Sequence, residues 1–219
     1  MTLRAVLFDM DGTLVDTEAV WWTTVERIAA TEGYPLTSAD AAHVTGAAVA
    51  DTARYLASVS TAGSAALAVR LDEDFRVAVG AGVSFRPGAV RLLDQLARAA
   101  IPLALVTASP RSVVTEVLRT VGADRFAVTV TADDTVRTKP HPDPYLAALD
   151  QLGYTADVCV AVEDSPTGLA SAEAAGCPVL AVPSVLPIPR APGRVVLPSL
   201  EQVDVDGLRA LVGDSAARC

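Results

Sequence analysis

Residues 5 to 12 read Ala5-Val6-Leu7-Phe8-Asp9-Met10-Asp11-Gly12, an unbroken apolar run that stops at two carboxylates and a glycine. A strand with one wet face alternates apolar and polar residues, whereas a strand of a parallel sheet covered on both faces is apolar at consecutive positions. The run therefore predicts a central strand of a parallel sheet, with Asp9 and Asp11 where it ends. Ligand sites of open α/β sheets lie outside the carboxyl ends of their strands. Carboxylates buried there without partners are costly, and a hard cation such as Mg²⁺ relieves that cost through oxygen ligands. An Asp-Gly turn closing a strand accounts for the same residues without any chemistry, so the rest of the chain has to decide.

Downstream, the pattern changes at once. Trp21, Trp22, Val25, Ile28 and Ala29 recur at helical spacing and the segment closes at Gly33 and Pro35. Further helices are expected over 38–43, 49–59 and 64–79, with no strand pattern anywhere in 17–81. A helical block of that length exceeds an ordinary connection and needs a small core of its own. It reads as a bundle forming a lid over the carboxylates, with Trp21 and Trp22 in its core and His43 an ordinary helix residue.

From Gly82 onward strand and helix alternate. Helices are expected over 88–100, 110–121, 144–152, 165–175 and 206–212, and strands over 101–106, 126–131, 158–162 and 178–182. An edge strand is expected over 194–197, and frayed chain over 213–219. This alternation specifies an α/β fold with a doubly wound parallel sheet and right-handed crossovers. The catalytic core is assigned to 1–16 with 82–219, and the helical cap to 17–81.

The chain has 219 residues, 51% of them hydrophobic, and a net charge of −9. The acidity argues against nucleic acid and anionic membranes as partners, and no apolar run has the length of a membrane span. With no evident signal peptide the expected compartment is the cytoplasm, and the expected state a monomer or weak homodimer. Cys159, Cys177 and Cys219 are scattered and odd in number, which indicates neither a disulfide framework nor a zinc site. Among 17 Lys plus Arg residues, Lys139 is the only lysine. A lysine kept against such an arginine bias suggests a position where a planar guanidinium does not serve.

Polar residues thus stand after four apolar segments: Asp9 and Asp11, Thr107 and Ser109, Lys139, and Glu163 with Asp164. Together they suit phosphoryl transfer, which needs a nucleophile, a cation, donors to the phosphoryl oxygens and a proton for the leaving group. Asp9 would be the nucleophile and Asp11 the general acid and base. Thr107, with backbone N–H groups at Ala108 and the following helix start, would hold the phosphoryl oxygens. Lys139 would supply a point charge. Asp9, Asp164 and the Asp11 carbonyl would hold Mg²⁺, with Glu163 as a further ligand or the partner of a metal-bound water.

Asp9-Met10-Asp11-Gly12-Thr13, then Thr107, then Lys139-Pro140, then Glu163-Asp164-Ser165-Pro166-Thr167-Gly168 resemble, in order, the four motifs of the haloacid dehalogenase superfamily. The resemblance implies a Rossmann-like core, a helical cap inserted after the first motif, and Mg²⁺-dependent chemistry on phosphate esters through an aspartyl-phosphate. The cap position is similar to that of beta-phosphoglucomutase and the small sugar-phosphate phosphatases.

Branches of that superfamily are told apart by particular residues. Dehalogenases lack the second carboxylate, which Asp11 supplies here, and phosphonatases use a cap lysine, which residues 1–138 do not contain. Mutases carry a histidine where this chain has Trp21, and an arginine that is missing from Gly46-Ala47-Ala48-Val49. The implied activity is a phosphatase acting on a small sugar or polyol phosphate, with a phosphomutase as the alternative. A non-catalytic phosphate sensor would have lost part of the acidic set, and none is lost. Substrate contacts are expected from Ser109, Arg111 and Gly46, with Arg86 a further candidate.

Overall fold

The computed structural model describes residues 2–45, 47 and 49–216, which divide into two compact units, Met1–Val15 with Ser84–Cys219, and Asp16–Val83. The first is a six-stranded sheet made of β1 (Ala5–Phe8), β2 (Leu103–Val106), β3 (Val128–Val130), β4 (Cys159–Glu163), β5 (Val179–Ala181) and β6 (Arg194–Val196). All five pairings are parallel, in the order β3-β2-β1-β4-β5-β6. The strand read first from the sequence is central, and its four residues are wholly buried. The chain winds outward through β2 and β3, then returns to the other side of β1 at β4. The reversal point therefore lies at β1, where a ligand crevice is expected.

Helices α5 (Ala89–Arg98), α6 (Arg111–Val121), α7 (Asp143–Leu152), α8 (Pro166–Ala174) and α9 (Val205–Ala216) belong to this unit. Successive residues of a strand face opposite sides of the sheet. Ala5 and Leu7 join one core cluster with Tyr145, Ala148 and Leu149 of α7 and Leu169 and Ala172 of α8, which places Val6 and Phe8 on the opposite face. Cys159 and Cys177 are buried and free, and burial pushes their thiols up to about 11 and about 12, so both behave as small apolar side chains.

The second unit contains α1 (Thr17–Thr31), α2 (Ala41–Val44), α3 (Val49–Val59) and α4 (Ser64–Gly80), and no strand among its described residues. Its core gathers Trp21, Val25, Ile28, Leu56, Leu67 and Leu71, with Trp22 packed at the margin. The Trp21 indole N–H donates to the Val44 carbonyl at 2.8 Å, and its ring meets Phe75 edge-on with centroids 5.3 Å apart. His43 is more than a plain helix residue, because its ring stacks on Tyr55 at 4.2 Å.

Tyr55 belongs to a half-buried polar knot around Asp40. Asp40 Oδ1 accepts from the hydroxyls of Tyr34 (2.9 Å) and Tyr55, while Oδ2 accepts from the Thr37 amide and hydroxyl at 2.6 and 2.9 Å. The Tyr55 hydroxyl, followed by the Thr37 amide, holds the Asp40 carboxyl well below the usual carboxylate range. A group depressed in the folded state stabilises fully above its unfolded value of about 3.9 and loses that contribution as pH falls through the folded value. Asp40→Asn should therefore lower the melting temperature at pH 7, and the gap from the unaltered protein should narrow below about pH 4. Thermal melts of both proteins at pH 7 and pH 3 would show this, and a gap that stays constant would contradict it.

The unit boundaries fall at 15/16 and 83/84, against 16/17 and 81/82 read from the sequence. Asp16 travels with the helices because its side chain caps α1, accepting from the Ala19 amide at 3.3 Å. The two stretches of the sheet-bearing unit that flank the helical one are joined to each other: Val15 forms an antiparallel bridge to Phe85, and the Arg86 amide donates to the Leu14 carbonyl at 2.8 Å.

Several elements differ from expectation. Residues 38–43 form a 3₁₀ turn, Ser38–Asp40, ahead of the short α2, because Thr37 and Asp40 close a capping box there. The third strand is only Val128–Val130, since Ala123–Arg125 takes a 3₁₀ turn before it. Pro110 stands at the N-cap of α6 rather than inside its first turn. Residues 213–216 continue α9 rather than fraying, and 217–219 lie outside the described residues. No described helix is long and apolar enough to cross a membrane.

Candidate active site

Beyond β1 the chain stays attached to the sheet, with the Asp9 amide donating to the Val162 carbonyl at 3.0 Å. It then folds back tightly: the Leu14 and Val15 amides both donate to the Met10 carbonyl, and the Gly12 amide to the Val15 carbonyl. Gly12 has a φ of +76°, and a Cβ there would lie 2.1 Å from Asp164 Oδ2 and 2.8 Å from Ser184 Oγ. Glycine is required on both counts, backbone conformation and space. The turn holds Asp9 and Asp11 at the edge of the sheet, while β4 delivers Glu163 and Asp164 beside them.

Lys139 reaches the same place from the loop after β3. The Lys139-Pro140 peptide is cis, and the loop is tied down where the Ser171 hydroxyl of α8 donates to the His141 carbonyl. The ammonium uses three donors on three acceptors: Asp9 Oδ1 at 2.7 Å, the Val106 carbonyl at 2.8 Å and Glu163 Oε1 at 2.6 Å. With Lys139 only 9% exposed and Glu163 fully buried, water screens these pairs little. Burial works against the ammonium, but the charges of Asp9 and Glu163 overcome it and keep its pKa above the ordinary lysine value.

The carboxylates outnumber the cation. Ligand atoms of Asp9, Glu163 and Asp164 lie within 4.8 Å of one another, and among the described residues Lys139 is the cation paired with Asp9 and Glu163. Burial raises the Asp9 carboxyl well above its ordinary range; Lys139 opposes this, while Glu163, Asp164 and Asp11 add to it. Asp164 is pushed up to about 7, chiefly by burial, against hydrogen bonding from Ser184. Asp9 Oδ2 and Glu163 Oε2 are buried without a hydrogen-bond partner. Three crowded oxygen ligands, two orphaned oxygens and excess negative charge fit a hard divalent cation, which would supply the largest local charge.

Asp11 is held differently, outside that trio. Its Oδ2 accepts from the hydroxyls of Thr107 (2.9 Å) and Ser109 (2.8 Å), and Thr107 Oγ1 accepts in turn from the Ser109 amide at 3.0 Å. Thr107 follows β2, with its amide donating to the Val130 carbonyl of β3, and Ala108 is exposed beside it. Asp9, Asp11, Thr107, Ser109, Lys139, Glu163 and Asp164 are thus brought together by four separate segments. Arg111 is not among them, because its guanidinium pairs with Asp134 and reaches the Thr129 carbonyl. The Arg86 amide donates to Leu14, and Gly46 lies outside the described residues.

Two hydroxyls were missed. Tyr145 of α7 donates to Glu163 Oε1 at 2.6 Å, and Ser184 donates to Asp164 Oδ2. Tyr145 sits on the apolar face of its helix and Ser184 in a proline-rich loop, so neither position carries a sequence signal of its own. Gly168, within the fourth motif, is packed so closely that a Cβ would fall 1.9 to 2.2 Å from the Glu163 carboxylate.

The family model described as haloacid dehalogenase-like hydrolase matches residues 6–182. Hexitol phosphatase A of Escherichia coli is 37% identical over 212 residues, covering 94% of this chain and 95% of that protein. A phosphoglycolate phosphatase of Rhodospirillum rubrum is 37% identical over 194 residues, covering 81% of this chain and 78% of that one. The crystal structure of CbbY from Rhodobacter sphaeroides in complex with phosphate superposes with a TM-score of 0.78 at 27% identity, over 94% of this chain and 99% of that chain.

Proposed function

This chain belongs to the haloacid dehalogenase-like hydrolase family, and on that premise we propose that it is a phosphatase for a small sugar or polyol phosphate, using Mg²⁺. The observation that carries the reading is the single lysine bonded at once to Asp9 and Glu163, beside an Asp9 oxygen that has no hydrogen-bond partner. Hexitol phosphatase A, a relative named for polyol phosphates, supports the substrate class, and the phosphoglycolate phosphatase supports a small phosphate monoester.

Asp9 is the nucleophile: Oδ1 is anchored by Lys139 and Oδ2 forms the bond to phosphorus as the ester P–O bond breaks. Asp11 gives its proton to the departing alcohol oxygen and later takes one from the water that releases phosphate and restores the Asp9 carboxylate. Two hydroxyls aim Asp11 for this, since Thr107 and Ser109 both grip Oδ2 and limit its rotation. Asp9, Asp164, Glu163 and the Asp11 carbonyl are the groups that would hold Mg²⁺. Mg²⁺ bound there supplies charge that offsets the phosphoryl oxygens. We assign the chemistry to 1–16 with 82–219, and the choice of substrate to 17–81.

The test is a panel of hexitol, sugar, polyol and nucleotide monophosphates, with a bisphosphate mutase assay run alongside. Phosphate release with Mg²⁺, silence in excess EDTA and recovery on adding Mg²⁺ are expected. Full activity in EDTA would remove the metal assignment, and turnover confined to the mutase assay would replace the phosphatase reading with the phosphomutase one. Asp11→Asn is expected to slow the reaction by 10²- to 10⁴-fold, the usual range for a lost acid-base group. Acid-quenched samples of that variant should accumulate phosphorylated protein, and normal breakdown would overturn the role given to Asp11.

A further inference from the structure

We infer that Tyr145 is a positioning residue of the acidic cluster, its phenol fixing the Glu163 carboxylate in the orientation in which that group serves as a cation ligand; this rests on the metal site proposed above.

Packing does not explain the phenol oxygen. Tyr145 is fully buried among Ala148, Leu169, Ala172 and Cys177, where phenylalanine would fill almost the same space with no polar atom to satisfy. Instead the hydroxyl is aimed at a carboxylate, 2.6 Å from Glu163 Oε1. Lys139 donates to that same oxygen at 2.6 Å, and its ammonium lies 5.3 Å from the centre of the Tyr145 ring. One donor lets a carboxylate swing about the contact. Two donors from different segments, the α7 helix and the Lys139 loop, fix it.

The rest of the Glu163 environment completes the restraint. Gly168 packs against the carboxylate where any larger residue would collide with it, and Glu163 Oε2 has no hydrogen-bond partner. Lys139 cannot orient Glu163 alone, because its other two donors are committed to Asp9 and the Val106 carbonyl. Tyr145 is the one described hydroxyl bonded to Glu163 alone, so its removal acts on that ligand without touching Asp9 or Asp164. Partners of this outer kind usually change metal affinity by 10- to 100-fold when removed.

The experiment titrates Mn²⁺ into the full-length protein by electron paramagnetic resonance, comparing the unaltered chain with Tyr145→Phe, Glu163→Gln and the double variant. Tyr145→Phe is expected to bind Mn²⁺ about tenfold or more weakly, with a larger shift in the Mg²⁺ concentration for half-maximal activity than in kcat at saturating Mg²⁺. Because the phenol acts through Glu163, the double variant should bind no more weakly than Glu163→Gln alone. Near-ultraviolet circular dichroism and melting curves report folding separately, and a lower melting temperature with unchanged Mn²⁺ affinity would make Tyr145 structural only. Losses that add in the double variant would also overturn the inference. Should the unaltered protein bind no Mn²⁺, the metal reading itself falls, and the inference with it.

Discussion

Asp9→Asn should lower turnover of a phosphate ester by about 10³-fold or more while leaving the protein folded and at least as stable. Asparagine keeps the shape and the oxygen that accepts from Lys139 at 2.7 Å, but it cannot form the acyl phosphate bond. The stability half of the expectation follows from electrostatics. Burial, joined by the Glu163, Asp164 and Asp11 charges, outweighs the opposing Lys139 attraction and disfavours an ionised carboxylate at Asp9, and Lys139 keeps Glu163 as its charged partner when Asp9 becomes a neutral amide. Function and stability oppose each other there, as is common where an active site concentrates like charges. Phosphate release and melting temperature, measured on the same sample, check both halves. Activity within tenfold of the unaltered protein would remove Asp9 as nucleophile, and a large fall in melting temperature would mean that its charge holds the fold together.

Lys139→Met has the opposite signature, loss of activity together with loss of stability. Among the described residues the ammonium is the one cation paired with Asp9 and Glu163, and its side chain is 4% exposed. Removing one partner of a buried ion pair costs about 3–5 kcal/mol, because the remaining charges are left uncompensated. Lys139→Arg should fail as a rescue. The three acceptors, Asp9 Oδ1, the Val106 carbonyl and Glu163 Oε1, surround a compact tetrahedral ammonium, and a planar guanidinium is too large for that buried space. Urea unfolding and turnover of all three proteins would decide the matter; an arginine variant with normal stability and normal rate would contradict it.

The sequence already marked Lys139, because a solitary lysine among arginines is visible without any structure. It also marked the strand ends, since four uninterrupted apolar residues before Asp9 leave little doubt that β1 is covered on both faces. Both readings depend on local signals, which a chain displays openly. What stayed hidden depends on tertiary approach. Thr107 was expected to hold phosphate, and the structure shows its hydroxyl donating to Asp11, 96 residues away in sequence. Tyr145 is a core residue, yet its oxygen serves a carboxylate that only the approach of α7 to the end of β4 reveals. Arg111 stood in the right segment for a substrate contact, but the turn at 132–134 captures it through Asp134. Short elements were the least legible, because the capping boxes at Thr37 and Thr131 make single 3₁₀ turns with no periodicity to read.

The antiparallel bridge between Val15 and Phe85 has a consequence for how such a chain diversifies. Because both edges of the excursion are clasped by bonds belonging to the sheet-bearing half, the stretch between them is free to lengthen, shorten or be exchanged without disturbing strand register. On the division of roles proposed above, a new specificity could be grafted at this clasp while the groups proposed to break the phosphate bond are inherited unchanged.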